Sequence, residues 1–517
     1  MTLRPPSRAP VYALALLVTP VLHGLSFPPF GLAALAWIAF VPWFAAIRLA
    51  GPVAALAITS FTTFAGSTVV ASWLPRAVAN YYGQPFAVGV ALFVGVWAVT
   101  VAPFVLAFTV AYRALGRRGP VVLPLLAGAA WAATELCRVE LLVGNPFGLL
   151  GYSQSAVLPV VQVADVTGVY GVSFVLAAVN AALAELWIGG RRALAGLGAA
   201  VAVAAAVLVY GAAQLGRPPA DAAPPVRVAI AQANLDLGAQ WRRELYGRNL
   251  DAYAALTREA LREPGTALVV WPENAMTFFL EDERLYRIAI ARLLAPAGAQ
   301  LLAGGPRAEG GRDARYYNSA FLLSPTGDIV ARYDKQRLLP FAEYFPFASI
   351  DLLRREFARV REFVPGADTP LLPTAAGPTG VVICNEAMFP RLVSARVRAG
   401  ARLLVNLTND SWLGDAQYSA QATDMTRVRA IEQRRWLVRA STSGPSALVD
   451  PAGRVTAETA AFSRGTIGGE VVPETVVTPY ARWGDVFGLV CVVAVVMGIV
   501  PGLPSLSRRR AWVRGDA

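Results

Sequence analysis

The sequence predicts two joined units: an α-helical transmembrane bundle of about eight spans and an extracytoplasmic α/β domain. Three observations predict them. Hydrophobic residues make up 56% of the 517 positions and charged residues only 15%. Apolar runs near the roughly 20 residues that cross a bilayer recur along the first part of the chain. A stretch of about 250 residues then mixes β-rich and helical patterns before one last apolar run.

A chain this apolar and this long is not one soluble domain. Its apolar runs lie near 10–26, 30–50, 53–75, 86–112, 120–137, 169–189 and 193–214, with nothing comparable until 483–503. That predicts seven spans, a long gap and an eighth span. Pro and Gly in the first two runs would allow one of them to be re-entrant. The first run follows Arg4 and Arg8 like a secretory signal, yet more spans follow at once and no cleavage site ends it, so it is read as a retained anchor. Glu135 and Glu185 fall near span ends, where an interfacial position is expected.

The formal charge of +12 suggests a polyanion partner until the arginines are placed. Arg4, Arg8, Arg48, Arg113, Arg117, Arg118, Arg191, Arg192 and the tail arginines Arg508, Arg509, Arg510 and Arg514 all fall on one side of the spans. The opposite short loops hold little beyond Arg76 and Arg138. The positive-inside rule then makes both termini cytoplasmic and turns the gap between spans seven and eight outward. Topology explains much of the basic charge, and no nucleic-acid partner is expected. The expected units are a bundle at 1–216, a soluble domain at 226–475, a last helix at 483–503 and a cytoplasmic tail at 504–517.

The Pro-rich segment Arg217 to Pro225 reads as a linker off the membrane. Strand patterns follow at 226–234, 266–274, 300–306, 319–325, 380–386 and 402–410, with helical patterns near 241–263, 282–294 and 421–438. SALVDPAG and GTIGGEVV read as closing strands.

Chemistry in this domain is constrained by what is missing. The only histidine is His23, in the first run, which removes Ser/His, Cys/His and histidine-metal arrangements from the domain. Of the 46 basic residues only Lys335 is lysine. An ammonium is compact and can be tuned by burial whereas a guanidinium cannot, so Lys335 is either a chance survivor or a functional cation. Cys137 and Cys491 lie in or beside spans, leaving Cys384 as the domain's single thiol, either buried and inert or kept for its reactivity. Glu273 ends an apolar strand in VVWPENA. Lys335 and Glu343 lie in RYDKQRLLPFAEYFP, and Cys384 and Glu386 lie in GVVICNEAMFP, where the cysteine takes the place of a nucleophile at a strand exit.

These strings resemble the Glu/Lys/Cys triad of the nitrilase superfamily. The chain as a whole is similar to the apolipoprotein N-acyltransferase family, through GNPFGLLGYSQ (144–154), GVYG (168–171), YYNSA, NLTNDSW and RAIEQRR as well as the span pattern. The resemblance implies an αββα sandwich with Glu273 as general base, Lys335 steadying the tetrahedral intermediate and Cys384 as nucleophile. Glu343 and Glu386 would be supporting acidic residues, and Trp241 would help form the lipid-facing site. Asn385 and Ala342 stand where the family usually has an aromatic residue and a glycine. The implied reaction moves an acyl chain from a phospholipid, typically phosphatidylethanolamine, to the α-amino group of the S-diacylglyceryl cysteine of an apolipoprotein, by a ping-pong route through a thioester. The implied protein is a monomer in the bacterial inner membrane, with its catalytic domain on the periplasmic side and no metal or diffusible cofactor. Two alternatives remain from the residues alone. One is a membrane-anchored amidase with the same triad, and the other is a transporter or binding protein with a degenerate domain, which would need buried polar residues in its spans.

Overall fold

The computed structural model describes residues 7–217, 223–235, 243–310, 314–346 and 362–500; Trp241 and the tail 504–517 lie outside them. Among the described residues, Arg8–Leu25, Pro52–Val70 and Val169–Leu215 are long and apolar enough to cross a membrane, and the bent pair Phe86–Thr100 and Ala102–Arg118 would make a fourth. The stretch Val169–Leu215 has 47 residues, about 70 Å if straight, over twice the hydrocarbon thickness. It is a hairpin. Gly190 turns at φ +61, a conformation glycine takes without a steric cost, and Ala178 and Ala182 of Val169–Gly189 share a buried cluster with Ala200 of Leu194–Leu215.

The other apolar runs form shorter or more polar elements. Residues 33–49 hold a five-residue 3-10 turn and the nine-residue helix Val41–Leu49. Leu123–Glu140 carries Glu135, Arg138 and Glu140, and Val486–Ile499 has 14 residues. Glu135 and Glu185 are buried within the protein. Trp131 Nε1 and the Leu150 N–H donate to Glu135 at 2.9 and 2.7 Å, and Arg48 pairs with Glu185 at 2.8 Å. Such partners are what make a buried carboxylate tolerable.

The soluble domain contains two six-stranded sheets. The first has the order β12-β1-β2-β3-β4-β5, where β1 is Val226–Gln232, β2 Thr266–Trp271, β3 Gln300–Glu309, β4 Arg315–Leu323, β5 Ile329–Asp334 and β12 Gly465–Val471. The second has the order β11-β10-β9-β8-β7-β6, where β6 is Leu372–Thr374, β7 Gly377–Ile383, β8 Leu403–Thr408, β9 Leu437–Ser441, β10 Ala447–Val449 and β11 Val455–Glu458. Strands β1, β2 and β3 run parallel, as do β7, β8 and β9, and the outer strands are antiparallel.

Alternating residues build the layers, as a period of two requires. Val228, Ile230, Leu268, Val270 and Leu302 meet Val381, Ile383, Leu403, Val405 and Leu407 between the sheets. Val269, Trp271, Leu301 and Ala303 face outward onto helices Arg243–Ala260 and Arg284–Leu294. Val382 and Leu404 face the opposite way, onto Pro390–Arg398 and Ala430. This is an αββα sandwich.

The expected helix 421–438 is instead Ala416–Gln433. Asp415 starts it by accepting N–H bonds from Gln417 and Tyr418, which is ordinary N-cap chemistry. Arg434 ends it in the left-handed region at φ +47, freeing Leu437–Ser441 to pair with β8 as β9. This helix lies between the second sheet and the membrane bundle. Tyr418, Ala422, Met425, Val428 and Ile431 belong to the bundle's core.

The strings RAIEQRR, GYSQ and GVYG meet at this junction. Arg429 donates to Tyr152 Oη at 2.9 Å and pairs with Glu432 at 3.1 Å. Glu432 accepts the Val169 N–H at 3.0 Å, and Arg434 pairs with Asp165 at 2.7 Å. These residues fasten the sandwich to the bundle.

Candidate active site

Glu273 and Cys384 stand at the exits of two parallel strands, β2 and β7, from different sheets, and both exits turn left-handed. Asn274, next to Glu273, has φ +57, and Cys384 itself has φ +52. Asparagine adopts this region readily. Cysteine does so at a cost on the order of 1–2 kcal/mol, so the surroundings of Cys384 must hold it there.

Glu386 supplies that hold. Its carboxylate accepts the Ile383 N–H at 2.8 Å, the Gln336 N–H at 2.7 Å, the Arg337 N–H at 3.0 Å and the Tyr333 hydroxyl at 2.8 Å. Arg396 Nη2 in turn donates to Tyr333 Oη at 2.7 Å. One buried carboxylate therefore ties the turn carrying Cys384 to the loop that follows Lys335. Replacing it with glutamine would put an N–H group opposite donors. E386Q is expected to lower the thermal midpoint and to cut kcat roughly 10^2-fold, the scale of a misplaced reacting group, as measured by melting in detergent and by steady-state turnover.

Glu343 acts on the other side, with the putting together of the acidic and basic groups around Lys335. Lys335 Nζ lies 2.8 Å from Glu343 Oε2 and 3.6 Å from Glu273 Oε1. Asn318 Nδ2 bridges both carboxylates, at 2.6 Å to Glu273 Oε1 and 2.7 Å to Glu343 Oε1. The Asn409 N–H reaches Glu273 Oε2 at 2.8 Å, and the Leu339 N–H reaches Glu343 Oε2 at 2.8 Å. Asn318 and Asn409 lie in YYNSA and NLTNDSW. Their strings stood out in the sequence, but nothing there set their side-chain or backbone donors against Glu273. Gly304 is needed behind Glu273: a Cβ there would sit 2.6 Å from Glu273 Cα.

The electrostatics follow from burial. Glu273, Lys335 and Cys384 are all buried. Burial raises the Glu273 carboxyl above its usual range; Lys335 opposes the rise and Glu343 adds to it. Burial alone would lower the Lys335 ammonium, but Glu343, Cys384 and Glu273 outweigh it and hold Lys335 above its ordinary value. Burial and the charge of Glu273 raise the Cys384 thiol, against Lys335. The arrangement places a thiol beside a hydrogen-bonded carboxyl group and an ammonium. It can deliver a nucleophile, accept a proton and stabilise an oxyanion without histidine. Asn385 is buried, and its Oδ1 has no hydrogen-bond partner among the described residues.

Residues 227–479 match the carbon-nitrogen hydrolase family, and residues 20–182 match the apolipoprotein N-acyltransferase N-terminal domain. The apolipoprotein N-acyltransferase of Geobacter metallireducens is 37% identical over 497 residues, 93% of each chain. That of Caulobacter vibrioides is 33% identical over 450 residues, 83% of this chain and 81% of its own. A solved mutant of a Nesterenkonia amidase from the nitrilase superfamily is 21% identical and covers 52% of this chain and 96% of its own, with a TM-score of 0.38. By the extent and identity of the curated relatives, the chain belongs to the apolipoprotein N-acyltransferase family.

Proposed function

We propose that this chain transfers a fatty acyl group from a phospholipid to the α-amino group of the S-diacylglyceryl cysteine of an apolipoprotein. Glu273 takes the thiol proton as Cys384 Sγ attacks the ester carbonyl, and Lys335 with a backbone N–H stabilises the oxyanion. The ester C–O bond breaks, the lysophospholipid oxygen takes the proton from Glu273, and a thioester remains. The acceptor amine then attacks, its proton passes to Glu273, the C–S bond breaks and the thiol is restored. Glu343 holds Lys335, and Glu386 holds the turn of Cys384.

One observation carries the lipid substrate. Cys384 belongs to the core between the sheets, whereas Met388 and Phe389, a few residues on, belong to the core of the membrane bundle. The nucleophile's own turn is thus anchored in the bundle, the side from which a donor in the bilayer would approach. The proposed setting keeps the expected topology: eight spans, units at 1–216, 226–475 and 483–503, and a catalytic domain on the periplasmic side of the inner membrane. Phosphatidylethanolamine is the proposed donor, the enzyme acts as a monomer, and Trp241 contributes to the lipid-facing site.

The test is intact mass of the purified protein after incubation with phosphatidylethanolamine. A hydroxylamine-labile acyl adduct that a diacylglyceryl peptide discharges faster than water supports the reading. An adduct cleared equally fast by water would make the protein an anchored hydrolase.

A further inference from the structure

We infer that the guanidinium of Arg337 is a binding site for the phosphodiester of the lipid donor whose ester Cys384 and Lys335 address. This deepens the acyl-transfer reading and rests on it. Arg337 follows Lys335 by two residues, and its backbone N–H shares the Glu386 carboxylate with the Ile383 N–H. The backbone of Arg337 is therefore tied to the turn that carries Cys384.

Its side chain reaches the membrane bundle. Nη2 donates to the Val143 carbonyl at 2.8 Å, and the guanidinium lies 3.6 Å from the centre of the Phe389 ring. Neither contact neutralises its charge, and among the described residues no carboxylate forms an ion pair with it. Glu140 is the carboxylate whose field it feels, but Glu140 is already held by Arg391 at 2.9 Å, and Arg391 is shared with Asp485 at 2.7 Å. Arg307, Arg429, Arg434 and Arg439, by contrast, each have a carboxylate partner. A partly buried cation without a counter-ion carries a desolvation cost that an arriving anion would offset.

The surface beside it points to an anion attached to apolar chains. Leu141, Leu142 and Val143 are 52, 68 and 53% exposed, on the same loop that receives Arg337. An apolar lip beside an unpaired guanidinium suits a lipid whose chains lie on the lip and whose phosphate meets the cation. The planar fork of arginine matches phosphate oxygens.

The experiment measures thioester formation on Cys384 of the full-length protein in detergent micelles, comparing wild type, R337Q and R337K. The donors are phosphatidylethanolamine and diacylglycerol, which offers the same ester without phosphate. For R337Q the half-saturating concentration of phosphatidylethanolamine is expected to rise about tenfold or more, the worth of a lost charge-assisted contact. For diacylglycerol the rise is expected to be several-fold smaller, and R337K is expected to recover part of the phosphatidylethanolamine effect. Glycerophosphoethanolamine should compete with the phospholipid on wild type, and inorganic phosphate should compete less well if the whole headgroup is read. Equal losses with both donors would overturn the inference, because they would mean that Arg337 only positions the Val143 loop. If wild type formed no adduct with either donor, the acyl-transfer reading itself would fail.

Discussion

Cys384→Ser is expected to retain the fold and to lose at least about 10^4-fold in turnover. Only one atom changes at a residue whose backbone is held at φ +52 by the bonds that Glu386 makes around it. The chemistry changes far more. A thiol can be deprotonated by a carboxylate as attack proceeds, whereas a serine hydroxyl needs a stronger base such as imidazole. The sole histidine of the chain, His23, lies in the first helix, Arg8–Leu25. Turnover with a diacylglyceryl peptide, together with intact mass of the variant after exposure to donor, checks this. A serine variant that turned over within tenfold of wild type would remove Cys384 from the reaction.

Lys335→Met is expected to lower kcat roughly 10^3-fold, the scale of losing a preorganised oxyanion donor. It is also expected to move the acidic limb of the pH profile upward. The sign follows from the base. As the proposed base Glu273 would work as a carboxylate, so activity is expected to be lost as pH falls through its pKa. That value is already raised by burial, and Lys335 is the group that restrains it. Removing the ammonium leaves Glu273 beside Glu343 without a buried counter-charge, so more of it is protonated at a given pH. A kcat/KM profile for each protein tests this; an unmoved or lowered acidic limb would mean that Glu273 is not the titrating base. Lys335→Arg is not expected to rescue activity, because a broad guanidinium does not fit where Nζ sits 2.8 Å from Glu343.

Each of these residues was marked in the sequence by scarcity or position. Lys335 is the only lysine, Cys384 the only thiol of its domain, and Glu273 the end of an apolar strand. The two supporting acids cannot be told apart there, since Glu343 and Glu386 each share a string with one of the candidate residues, Lys335 and Cys384. Tertiary structure separates them: Glu343 pairs with the ammonium, and Glu386 accepts N–H groups from two chain segments some 50 residues apart. Asn318 carries no local sign of a site residue, because its bridge from the middle of β4 joins Glu273, after β2, to Glu343, in the loop after β5, and no local pattern relates the three.

The sequence by itself marked the two-unit plan, the layered α/β character of the second unit and Glu273, Lys335 and Cys384 as its candidate residues. Hydropathy, residue period and chemical type are local properties, and local properties are written in order along the chain. Only the tertiary structure decided that Val169–Leu215 folds into a hairpin, that the helix ending at Gln433 yields to strand β9, and that RAIEQRR joins the sandwich to the bundle. Those outcomes depend on which buried groups find partners. A carboxylate such as Glu432 is tolerable inside the protein only where the Val169 N–H and Arg429 meet it, and that meeting is set by the fold as a whole.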